Sequence, residues 1–154
     1  MVRKLTEEDR TDFDDILLEM DVLIDDLVDL YSQTHGYGNK KELDFTPESV
    51  PAVEQFFLDF LNRNITINRS KEAMVVRLAY YYGEVLIRNI GGKWIQSEYD
   101  DDSFGNPIVE GYSKVSKVFQ DPLMLCWTLA ERQEEGTLSR AFRNAVKWAA
   151  NSPA

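Results

Sequence analysis

The apolar positions of this chain fall into helical stripes first, then a short stretch of alternation, then helical stripes again. Phe13, Ile16, Leu17, Met20, Leu23, Ile24, Leu27, Leu30 and Tyr31 recur at steps of three and four, which predicts an amphipathic helix over residues 6–34. Thr6 and Asp9 resemble a capping box at its start, with Asp in place of the usual Glu. Val53, Phe56, Phe57, Phe60 and Leu61 predict a second helix over 47–63, entered through Thr46-Pro47 or, given Pro51, through Ser49. In residues 70–90, Met74, Leu78, Tyr82, Val85, Leu86 and Ile90 share a side that Val75, Ala79 and Tyr81 widen until little of the helix is polar. Such a helix belongs between other elements. Ser70 reads as its N-cap, and Gly91-Gly92 as its end, because glycine takes the left-handed conformation that closes a helix. Gly83 stands in mid-helix, which predicts close approach of another backbone.

After Gly92 the pattern changes. Residues 93–98, starting at Lys93-Trp94-Ile95, and residues 107–111 read as strands, separated by Tyr99–Asn106, which has turn composition. Residues 113–119 read as a third strand. Asp121-Pro122 marks a helix start, with helices over 122–135 and 137–150 divided at Gly136-Thr137. The sum is an α+β fold: one helix-rich domain with a small antiparallel sheet of two or three strands between the third helix and the C-terminal helices.

Charge sharpens this picture. The net charge is −10, and residues 1–30 carry eleven carboxylates against Arg3, Lys4 and Arg10, so nearly all of the imbalance lies in the first helix. A phosphate backbone is repelled by that surface, which argues against nucleic-acid binding, while a basic protein partner is attracted. Acidic outer faces on helices are routinely just solvated. Against that reading, a face built for solubility interleaves both signs, and this one has almost no Lys or Arg. The candidate partner-binding residues are Asp12, Asp15, Glu19, Asp25, Asp26 and Asp29, with Asp100, Asp101 and Asp102 as a second acidic edge. Arg132, Arg140, Arg143 and Lys147 make the far end basic, suited to the acidic helix within the molecule or across a homodimer.

Candidate chemistry is thin. Cys126, the single cysteine, sits in an apolar run and reads as a small buried hydrophobe, and no intramolecular disulfide can form. His35, the single histidine, lies at a helix end with no adjacent nucleophile. One His and one Cys do not make a zinc site, and Asp100–Asp102 do not have EF-hand spacing. No cofactor is expected. Glu84 and Arg88, four apart, read as a structural ion pair supporting the turn. The competing reading makes Glu84 an acid or base, which requires a perturbing partner in a cleft. No stretch has the length of a membrane span and the N-terminus lacks a signal-peptide core, so a cytoplasmic protein is the default expectation.

Tyr82-Gly83-Glu84-Val85-Leu86-Ile87-Arg88-Asn89-Ile90-Gly91-Gly92-Lys93-Trp94, followed by Asn106-Pro107-Ile108-Val109-Glu110-Gly111, resembles a pattern of small bacterial proteins of unknown function. In these a helix ending in Gly-Glu-Val and an Arg leads through Gly-Gly and a basic residue to Trp, and a strand beginning Asn-Pro follows. The first helix lies outside the match. The resemblance implies an α+β domain and no activity. Some such domains resemble immunity proteins encoded beside secreted bacterial toxins. Three functions are thus expected in turn. The first is a non-enzymatic acidic binding module, of which an immunity-type inhibitor of a basic toxin is one form. The second is a carboxylate-dependent enzyme using Glu84 and the Asp100–Asp102 loop. The third is a homodimeric scaffold.

Overall fold

The computed structural model describes residues 3–150. Five helices and three short strands follow in the order α1 (Glu7–Gln33), α2 (Val50–Leu61), α3 (Lys71–Ile90), β1 (Lys93–Gln96), β2 (Pro107–Glu110), β3 (Phe119–Gln120), α4 (Pro122–Arg132) and α5 (Thr137–Ala150). The fold is helix-rich α+β with a three-stranded antiparallel sheet in the order β1-β2-β3.

Helix α3 is the axis. It packs against α1, α2, α4, α5 and β2. Met74, Val75, Leu78, Ala79, Tyr81, Tyr82, Val85 and Leu86 have no solvent exposure. Its middle turns are enclosed by these neighbours, which is why they show so few polar residues, whereas Lys71, Glu72, Arg88 and Asn89 at the two ends are exposed. The tyrosine hydroxyls it buries find partners. Tyr81 Oη accepts from Phe45 N at 3.1 Å and shares a hydrogen bond of 2.7 Å with Ser49 Oγ. Tyr82 Oη donates to Gln120 Oε1 at 2.6 Å, and Gln120 Nε2 donates to Ala141 O at 2.7 Å. One glutamine in β3 thereby links α3 to α5.

The helix termini obey local rules. Thr6 and Asp9 form a reciprocal capping box on α1, and Ser70 Oγ accepts from Ala73 N on α3. A 3-10 turn, Pro47–Ser49, runs into α2, so both proline signals near its start are used. Asp121 caps α4 through Met124 N and also accepts from Asn106 Nδ2. Helix α4 ends at Arg132, before Gly136, because Gln133 takes the left-handed conformation. Gly91 closes α3 with φ +93° but an extended ψ, not the left-handed region, a combination open essentially to glycine alone. Gly92, also at positive φ, faces the sheet so closely that a Cβ would lie 2.8 Å from Glu110 O.

Other expectations change as well: β1 stops at Gln96, short of 98, and β2 at Glu110, short of 111. The third strand is two residues long, not seven. Residues 112–118 form turns, with Lys117 at φ +64° and Ser113 Oγ accepting from Val115 N. A backbone that turns in this way cannot extend the ladder. The close neighbour of Gly83 is a side chain, not a backbone: the Trp94 indole fills the space a Cβ would need.

Candidate functional site

Helix α1 presents its acid outward. Met20, Ile24, Leu27 and Tyr31 face the core, and Asp12, Asp14, Asp15, Glu19, Asp21 and Asp25 are exposed. Among the described residues none of these six carboxylates makes an ion pair. Asp26 behaves differently. Arg69 donates to both of its oxygens, at 2.7 and 3.0 Å, and Arg77 Nε donates at 2.7 Å. These arginine hydrogen bonds, led by Arg69, hold the Asp26 carboxyl below its ordinary value against a desolvation penalty. Asp26 therefore pins α1 to the start of α3 and is withdrawn from the outer face. Asp29 is half-exposed and paired with Lys40 Nζ at 2.5 Å. The acidic face that remains available runs from Asp12 to Asp25.

That face is not purely charged. Leu18 is 80% exposed and Val22 68% exposed. They lie one turn apart, on the side of α1 opposite its buried stripe, among Asp14, Asp15, Asp21 and Asp25. The apolar periodicity of α1 passes over both residues, because they fall off its stripe. The signal for them is an apolar i, i+4 pair inside the polar face.

The second acidic edge is tied down within the chain. Arg3 Nε donates to Asp100 Oδ1 at 3.0 Å, and Arg3 Nη2 donates to Asp101 O at 2.7 Å. The same guanidinium lies 4.5 Å from the centre of the Phe104 ring. Asp101 Oδ1 accepts from Ser103 N at 2.8 Å, a turn contact. Asp102 is exposed. Among the described residues no group of three or more His, Cys, Asp and Glu is close enough to hold a metal ion.

Glu84 is held at the α3–β1 junction. Its Oε2 accepts from Trp94 Nε1 at 3.2 Å, and Arg88 approaches Oε1 at 3.7 Å while stacking 3.7 Å over the Phe45 ring. Gly83, Glu84, Arg88, Gly91, Gly92 and Trp94 thus form one structural joint. Glu84 and Asp100–Asp102 share no hydrogen bond or ion pair among the described residues. Cys126 is fully buried, and burial pushes its thiol well above the ordinary value. A thiol held protonated in this way is a poor nucleophile. His35 lies just beyond the C-cap of α1, which is Thr34.

The basic end of the chain is a separate feature. Arg132, Glu134, Arg140, Arg143 and Lys147 border an open groove of about 600 Å³ between α4 and α5, with Thr128, Thr137 and Asn144 beside them. Its one ion pair among the described residues is Arg140–Glu134, 3.4 Å apart. None of its cations reaches α1, so the expected pairing with the acidic helix inside one molecule does not occur. Helix α3 lies against both α1 and the α4–α5 pair.

Among the described residues no helix is long and apolar enough to cross a membrane. Comparison of the chain with protein-family models, curated proteins and solved structures finds no significant match.

Proposed function

We propose that the chain is a non-enzymatic binding module whose α1 outer face receives a basic protein. An immunity-type inhibitor of a cationic bacterial toxin is the form of such a module that the resemblance over Tyr82–Trp94 and Asn106–Gly111 implies. The observation that carries the reading is the exposed pair Leu18 and Val22, set among Asp14, Asp15, Asp21 and Asp25, none of which makes an ion pair among the described residues, Lys40 on Asp29 being the one cation whose charge reaches Asp25. A contact of that kind works in two steps. The carboxylates steer a cationic partner, raising association rates by about 10- to 10³-fold in low salt. The apolar pair then leaves water against an apolar anchor on the partner, and that step sets the dissociation rate. A cytoplasmic location goes with this reading.

The enzyme reading draws no support from the geometry, since Glu84 is engaged by Trp94 and Arg88 and Asp100 by Arg3.

The test is co-purification of the chain with the product of its neighbouring gene, followed by association kinetics at low and high salt. Wild type is expected to bind quickly in low salt and more slowly in high salt. Substituting Leu18→Ser and Val22→Ser should raise the dissociation rate. Failure to bind, or binding indifferent to salt and to both substitutions, would overturn the proposal.

A further inference from the structure

The α4–α5 groove lies away from α1 and plays no part in that contact. It concentrates positive charge in a chain whose net charge is −10. Arg140, Arg143 and Lys147 fall on one side of α5 at steps of three and four, and Arg132 faces them from the end of α4. Arg132, Arg143 and Lys147 make no ion pair among the described residues. Glu134 borders the same groove and offsets one of the four charges through Arg140, which leaves Arg132, Arg143 and Lys147 as an excess of like sign around one space, on residues that are all exposed. A bound anion would offset the repulsion among them.

The dimensions narrow the ligand. From Arg140 to Lys147 the helix advances about 10 Å, a span that a linear anion with several charged groups matches better than a single small one. Three of the four cations are arginines, whose planar fork matches phosphoryl oxygens two at a time. Thr128, Thr137 and Asn144 add neutral hydrogen-bonding groups, and Leu125 and Ala141 supply the apolar part of the lining. No aromatic residue lines the groove, so there is no platform on which a base could stack. The volume of about 600 Å³ is that of a small-molecule site.

We infer that the α4–α5 groove is a binding site for a small linear polyanion carrying two or more phosphoryl groups. Arg140, Arg143 and Lys147 hold it along one wall and Arg132 from the other.

The test is calorimetric titration of the full chain with tripolyphosphate, orthophosphate and citrate against chloride at matched ionic strength. Saturable one-to-one binding of tripolyphosphate is expected, tighter than that of orthophosphate or citrate. R143Q/K147Q should weaken it about tenfold or more without changing the melting temperature measured in chloride. K114Q/K117Q, which alters a basic surface outside the groove, should leave it unchanged. Three results would overturn the inference: no saturable binding, equal binding by R143Q/K147Q, or equal weakening by K114Q/K117Q. A fourth is sedimentation that finds a dimer dispersed by tripolyphosphate. That would assign the groove to the acidic helix of a second copy instead.

Discussion

Trp94 occupies the space that any side chain at Gly83 would take: a Cβ there would lie 2.0 Å from the indole Cζ2. The indole stands edge-on to Tyr80, with ring centres 6.1 Å apart, and its Nε1 donates to Glu84. Three residues therefore meet in one contact: the glycine makes room, the glutamate orients the ring, and the ring seats β1 on α3. Gly83→Ala gains about 1 kcal/mol of helix propensity but forces a large ring out of a packed site, at a cost of about 1–3 kcal/mol. The expected result is a lower denaturation midpoint with a changed Trp fluorescence maximum. An alanine variant that is more stable than wild type would show that the indole moves aside freely.

Glu54 is the buried carboxylate of α2, only 2% exposed. Its Oε1 accepts from Gly136 N at 2.5 Å and its Oε2 from Leu138 N at 2.9 Å, so it closes the amino end of α5, where backbone N–H groups lack helical partners. Glu54→Ala leaves both N–H groups unsatisfied. At about 1–3 kcal/mol for each orphaned group, the expected loss is several kcal/mol, read by denaturant unfolding, with amide exchange accelerating first in α5. Glu54→Gln keeps one acceptor and should lie between the two.

Asp26 joins α1 to the start of α3 through Arg69 and Arg77. Its carboxyl is lowered from 3.8 in the folded chain, chiefly by the Arg69 hydrogen bond. Its stabilising contribution is therefore complete above pH 4 and is lost as the pH falls through the lowered folded value. Asp26→Asn should cost about 1–3 kcal/mol at neutral pH, and the difference from wild type should shrink in acid. Stability curves that stay parallel from neutral pH into acid would contradict this.

Asp14, Asp21 and Asp25 make no ion pair among the described residues. Converting them together to Asn should change stability by no more than about 0.5 kcal/mol and should slow association with a basic partner in low salt. Because rates converge as salt screens the charges, the variant and wild type should associate alike at high salt. Equal association rates in low salt would exclude steering by this face.

The repeat of apolar residues at three and four steps was enough to place α1, α2 and α3, because burial of one stripe is a local periodic property of the chain, while Asp121-Pro122 and the break at Gly136-Thr137 placed α4 and α5. Caps at Thr6, Ser70 and Asp121 were equally legible, since each is a bond between residues three apart. The acid of α1 was visible as composition. Its use was not: Asp25 and Asp26 are adjacent and chemically identical, yet one is exposed and the other is clamped by arginines 43 and 51 residues away. Pairing over such separations depends on where α3 lies, and no local pattern encodes that. The same holds for Glu54, whose charge inside an apolar stripe was the only sign of its role, and for the turns at 112–118, which broke an alternation that looked like a strand. Local spacing determined which segments are helical and which faces are apolar. Only the packing of α1, α4 and α5 around α3 decided which charges are neutralised and which are left to meet something else.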